Sequence, residues 1–225
     1  MKGGTALNLF IFDMPRLSLD IDLNYIGAAD RDTMLAERPK VEKAVQAVCA
    51  REDMSLTRLP TDHAGGKWRL RYESALGGGG TLEVDVNFMF RVPLWPVRPL
   101  DSRQIGHSAA TGILVVDTHE LAAGKIAALL ARHASRDLFD AHLLLTTQEL
   151  DAERLRLAFV VYGGPPHSWQ PRHDSLAAGP IPSRCGRAPY SAANRRAELF
   201  EQIVNFIQFL LDLFVHGTGP LDLFI

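Results

Sequence analysis

The chain has 225 residues, 47% of them hydrophobic and 22% charged, with a formal net charge of −2. This is ordinary for a globular protein that buries one sizeable core or two small ones. It excludes a global attraction to nucleic acid, so RNA would need a local basic patch. Two distant cysteines, Cys49 and Cys185, exclude a disulfide framework and fit a reducing cytoplasm.

The eight histidines fall in no His-Glu-x-x-His pattern and the cysteines in no Cys-x-x-Cys, which argues against zinc. No segment is long and apolar enough to span a bilayer. The apolar run from Met1 to Phe12 is interrupted by Asn8 and Asp13 and lacks a small-residue cleavage site, so it does not read as a signal peptide.

Gly3-Gly4-Thr5-Ala6-Leu7 opens a short apolar helix that ends near Pro15. A strand follows in which Leu19, Ile21 and Leu23 alternate with Ser18, Asp20 and Asp22. Side chains in a strand have period two, so Asp20 and Asp22 leave one face together. Two adjacent acids repel unless a positive charge sits between them, and a divalent metal is the usual partner of oxygen-only ligands. The plainer reading is a half-buried strand with a polar outer face. The glycine-rich helix start tips the balance, because its N–H groups make an anion site, and an anion site beside a metal site suits a nucleoside triphosphate. The Gly-x-x-x-x-Gly-Lys-Ser/Thr phosphate loop is absent.

Residues 30–54 read as a helix, with Val41, Ala44, Val45 and Val48 at helical spacing; Pro39 marks either a break or the true first turn, and Cys49 reads as a small core residue. Lys67–Tyr72 and Thr81–Phe88 alternate as strands, joined by a flexible loop at Gly77–Gly80. On the second, Glu83, Asp85 and Asn87 share the polar face. The proline-rich stretch 91–103 reads as an extended connection, and Ile113–Val116 as a short buried strand that closes the first domain.

Thr118 is placed to cap a helix over 119–146. If that helix is continuous, Lys125, Leu129, Arg132, Arg136 and Asp140 share one face, either as a solvated stripe with Arg136 paired to Asp140 or as a phosphate-binding one; Lys125, a point cation, suits a triphosphate. Residues 151–162 read as another helix and 163–190 as a long irregular loop. Five arginines against one acid over 165–196 make either a solvated connection or an RNA-backbone contact. Residues 198–215 read as a strongly apolar helix, suited to a bundle core.

Gly-Gly-Thr-Ala-Leu, then Arg16-x-Ser18-x-Asp20-Ile-Asp22-Leu, then Lys125 and Arg136-Asp137-x-x-Asp140 together resemble the AbiEii/AbiGii toxin family of nucleotidyltransferases, within the polymerase-β-like superfamily. The resemblance implies an α+β protein. Residues 1–117 would be the nucleotidyltransferase core, a mixed sheet with flanking helices, and 118–225 a helical C-terminal domain, with the nucleotide in the cleft between them. It implies a third carboxylate, matched by Asp85, so that Asp20, Asp22 and Asp85 hold two Mg²⁺ ions. Lys125 would contact the phosphates, with Asp137 and Asp140 beside the active site. Gly4, Thr5, Arg16, Ser18 and Arg132 complete the set expected to bind the nucleotide. Family members usually carry a helical segment ahead of the first motif, so a motif at residue 3 implies a late start or a lost leading helix.

The implied activity is transfer of a nucleoside monophosphate from an NTP to an RNA, in some members the tRNA 3′ end, by a toxin with an antitoxin partner. Two rivals remain: nucleotidylation of a protein hydroxyl, and an inactive remnant that only binds an antitoxin or RNA.

Overall fold

The computed structural model describes residues 1–51, 54–58, 65–73 and 78–163. The basic stretch 165–196, the apolar stretch 198–215, Cys185 and the loop beyond Gly163 lie outside them.

The chain enters through α1 (Gly3–Ala6), which passes directly into a π turn, Leu7–Ile11, closed by the Phe12 N–H on the Leu7 carbonyl at 2.7 Å. Ala6, Leu7, Leu9 and Phe10 are all buried, the behaviour of a helix that is apolar on every side. Asn8 is the polar exception and donates to the Gly4 carbonyl at 2.8 Å. Strand β1 (Ile21–Asn24) starts after the acidic motif is half complete, so Ser18–Asp20 form an extended lead-in rather than the first rungs of the strand. The buried Thr5 pins that lead-in, its hydroxyl lying 2.9 Å from the Ser18 carbonyl and 2.5 Å from that of Asp20.

Helix α2 (Arg31–Arg51) runs straight through Pro39. Pro39 lacks the N–H that Leu35 would receive, but both residues are exposed, so water can take the freed carbonyl, and Pro39 marks neither a break nor the first turn. Tyr25, just after β1, donates to Glu37 on this helix and packs its ring against Phe88, with centroids 5.5 Å apart.

Strands β2 (Ser55–Arg58), β3 (Gly65–Glu73) and β4 (Gly79–Asn87) complete a mixed sheet in the order β1-β4-β3-β2. β1 and β4 are parallel; the other neighbours are antiparallel. Ile21, Leu23, Trp68, Leu70, Leu82, Val84 and Val86 are buried, and Val45, Val48 and Cys49 of α2 join the same core. Burial pushes the Cys49 thiol up to about 11, which makes it the inert core residue its sequence context suggested.

The proline-rich connection holds a strand that the sequence did not announce. β5 (Arg98–Leu100) pairs antiparallel with β6 (Ile113–Val115), and Pro99 is tolerated because this ribbon has only two strands. The buried amine of Met1 donates to Leu114, and the Met1 carbonyl accepts from Val116 at 3.2 Å, which ties the start of α1 to the ribbon.

Helix α3 (Thr118–Arg132) is capped by Asp117, not Thr118: the Asp117 carboxylate accepts the His119 N–H at 2.9 Å. The expected single helix over 119–146 is two. His133 adopts the left-handed conformation (φ 54°), its N–H bonds to the Leu129 carbonyl, and α4 (Ser135–Thr147) starts afresh. α5 (Ala152–Gly163) packs back on α3, where Tyr162 donates to Glu120 at 2.5 Å.

Candidate active site

The parallel pairing of β1 and β4 places Asp22 directly beside Asp85, and β3 adds Lys67 opposite Asp85 in the next strand. The sheet thus carries a row Asp22–Asp85–Lys67 on its polar face, with Glu83 two residues from Asp85. These side chains, those of Asp20, Arg16 and Ser18, and the Gly4 backbone line a cleft of about 370 Å³, which Lys125, Arg132, Arg136 and Asp137 line from the helices.

The glycines set how closely the chain start approaches the acids. Gly3 has φ +78°, and a Cβ there would lie 2.0 Å from Asp22 Oδ2; one on Gly4 would lie 2.7 Å from Ser18 Oγ. The backbone of α1 therefore lies against the acidic motif with no room for a side chain. Gly3→Ala is expected to lose roughly 1–2 kcal/mol from the left-handed backbone alone and to displace Asp22; urea denaturation measures the first effect and the transfer assay below the second.

Asp22 sits in an unfavourable field. Burial pushes its pKa above the ordinary value; Lys2 opposes this, while Asp85 and Asp20 push the same way. Three carboxylates with this repulsion fit a hard divalent cation in their donor chemistry. Among the described residues, no group of three or more His, Cys, Asp or Glu side chains is gathered in a metal-holding arrangement.

The helix side is a network of ion pairs. The bend at His133 brings Lys125 of α3 against the first turns of α4, with Nζ 3.3 Å from Asp137 Oδ1 and 3.0 Å from Asp140 Oδ2. Arg132 lies 3.0 Å from Asp137 Oδ2. Arg16 reaches across from the acidic motif and grips Asp140 with two bonds, Nε to Oδ1 at 2.9 Å and Nη2 to Oδ2 at 2.5 Å. Burial pushes the Asp140 carboxyl up, but the Arg16 fork and Lys125 outweigh it and hold the pKa below the usual range.

The structure therefore brings Gly4, Arg16, Ser18, Asp20, Asp22, Asp85, Lys125, Arg132 and Asp137 onto one cleft. Two expected residues play another part. The Thr5 hydroxyl is committed to backbone carbonyls instead of facing the cleft, and the fully buried Asp140 holds Arg16 and Lys125 in place. Arg136 does not pair with Asp140, whose partners are Arg16 and Lys125. Lys67 and Glu83, joined at 2.6 Å, are cleft residues that the sequence reading passed over.

A mixed sheet with adjacent carboxylates, facing a lysine and arginines across a polar cleft, is consistent with the α+β nucleotidyltransferase fold. A model of the family described as nucleotidyl transferase AbiEii toxin, type IV TA system, matches residues 1–203, and the chain belongs to that family. Neither the search of curated proteins nor the search of solved structures gave a match. Nucleotidyl transfer is the family's chemistry, and an antitoxin is the partner its type implies. No described helix is long and apolar enough to cross a membrane.

Proposed function

We propose that the protein transfers a nucleoside monophosphate from an NTP to a hydroxyl of RNA, with the tRNA 3′ end as acceptor, and works in the cytoplasm beside a cognate antitoxin. The observation that carries this reading is the in-register pair Asp22–Asp85 on parallel strands, facing the Lys125 network across one cleft. Residues 1–117 supply the sheet side of the site, and the helical part from 118 supplies the other side.

In this reaction the acceptor oxygen bonds to the α-phosphorus, and the bond from that phosphorus to the bridging β-oxygen breaks. Pyrophosphate leaves with the bonding electrons. The hydroxyl proton passes to a carboxylate oxygen of Asp85. Asp20, Asp22 and Asp85 would hold two Mg²⁺ ions, which when bound supply Lewis-acid stabilisation of the entering and leaving oxygens. Gly4 and Ser18 border the phosphates, and Lys125 and Arg132 offset their charge. Asp137 keeps Lys125 and Arg132 facing the cleft, while Arg16 is oriented by Asp140.

Incubating the purified chain with Mg²⁺ and each labelled NTP in turn, against tRNA and against total protein, tests the proposal. Label in tRNA is expected. Label in protein alone would make the acceptor a protein hydroxyl, and label in neither would leave a binding protein.

A further inference from the structure

We propose that Arg136 binds the terminal phosphate of the nucleoside triphosphate and so sets the direction in which the substrate lies. This rests on the nucleotidyltransferase reading and deepens it. Five cationic side chains line the cleft: Arg16, Lys67, Lys125, Arg132 and Arg136. Four are already paired. Arg16 is held by Asp140, Lys67 by Glu83, Lys125 by Asp137 and Asp140, and Arg132 by Asp137.

Arg136 alone among these has no ion pair among the described residues, and it is exposed at the mouth of the cleft. A paired cation offers an incoming anion only what its carboxylate leaves over, and freeing it exposes that carboxylate. An unpaired guanidinium carries no such penalty, and its fork of N–H donors matches phosphate oxygens two at a time.

Its place in the chain gives the orientation. Arg136 is in the first turn of α4, next to Asp137, on the helix side of the cleft, while Asp22 and Asp85 project from the sheet. A triphosphate whose last phosphate sits on Arg136 lays its pyrophosphate portion along the helices and its α-phosphate towards the carboxylates. The acceptor then enters from the sheet side, past Lys67 and Glu83. Arg136 is a binding residue in this account, and its contact belongs to the part of the substrate that leaves.

Calorimetric titration of each of the four NTPs and of AMP in Mg²⁺, on the full chain, on Arg136→Ala and on Arg136→Lys, tests the assignment. Replacing one charged bidentate contact should raise the Kd for ATP by about 10-fold or more in Arg136→Ala, leave AMP unchanged, and be partly rescued in Arg136→Lys. Thermal melting should not move, since Arg136 has no ion pair among the described residues to lose. An unchanged Kd for ATP in Arg136→Ala would overturn the assignment, and so would equal weakening of ATP and AMP, which would mark a general charge effect. If the unaltered chain bound none of the four NTPs, the nucleotidyltransferase reading itself would fall, and this assignment with it.

Discussion

Asp22→Asn is expected to reduce nucleotidyl transfer by at least ~10²-fold, a typical loss for a preorganised electrostatic group, while the protein melts no lower than its parent. The two outcomes have one cause. Burial first, then Asp85 and Asp20, hold the Asp22 pKa above its ordinary value against the opposing pull of Lys2, so ionised Asp22 destabilises the metal-free fold. The sign follows from linkage: between the unfolded and folded pKa values the native state binds the extra proton, so stability falls as pH rises through that window. Asparagine removes the charge and with it this fall. Melting curves recorded with a chelator from pH 3 to pH 7 should show parent and variant close together at the acid end and the variant ahead at neutrality. Near-normal transfer in the variant would sink the assignment of Asp22 to the reacting centre. A melting temperature well below the parent's at neutral pH would mean that Asp22 supports the fold.

Asp140→Ala should act the other way, through the fold first. The carboxylate is fully buried and shared by the Arg16 fork and by Lys125, itself only 8% exposed. Removing it takes both carboxylate bonds from Arg16 and leaves Lys125 with Asp137 alone, and losing one partner of a buried pair costs roughly 3–5 kcal/mol. Lys125→Ala is milder for stability, because Asp140 keeps Arg16 and Asp137 keeps Arg132. Its larger effect should be weaker NTP binding. Urea unfolding and nucleotide titration on both variants separate the roles. An unchanged urea midpoint for Asp140→Ala would show that water already solvates this network.

The sheet was the legible part of the sequence. Trp68 and Leu70 on one strand and Leu82, Val84 and Val86 on the other alternate with polar residues, and the structure buries those five. What alternation does not give is register. Lys67 and Glu83 were visible as polar-face residues, but only the antiparallel pairing of β3 with β4 sets Lys67 opposite Asp85.

The helix side was legible in content and wrong in shape. Lys125, Leu129, Arg132, Arg136 and Asp140 read as one face of a continuous helix, yet the chain bends at His133, and Lys125 meets Asp137 and Asp140 across that bend while Arg132 meets Asp137. Neither glycine nor proline stands at His133-Ala134 to announce a stop, and the left-handed turn falls on His133, a residue type that adopts that conformation more often than most. The cap at Asp117 was missed for a local reason: Asp117 and Thr118 are both good caps, and only geometry shows whose oxygen reaches the His119 N–H. Thr5 shows the same limit, because a hydroxyl beside two glycines looks available until the Ser18 and Asp20 carbonyls are found on it.

The strand pairing has a consequence for synthesis on the ribosome. Parallel neighbours cannot be joined by a tight turn, so β1 waits for β4, more than fifty residues later, before Asp22 meets Asp85. The Arg16–Asp140 clasp spans 124 residues, so the cleft closes only after α4 has emerged. Contacts this distant in sequence form late and together. On the ribosome the acidic motif therefore emerges well before there is a cleft to use it in. Release of α4 is the step that assembles the site.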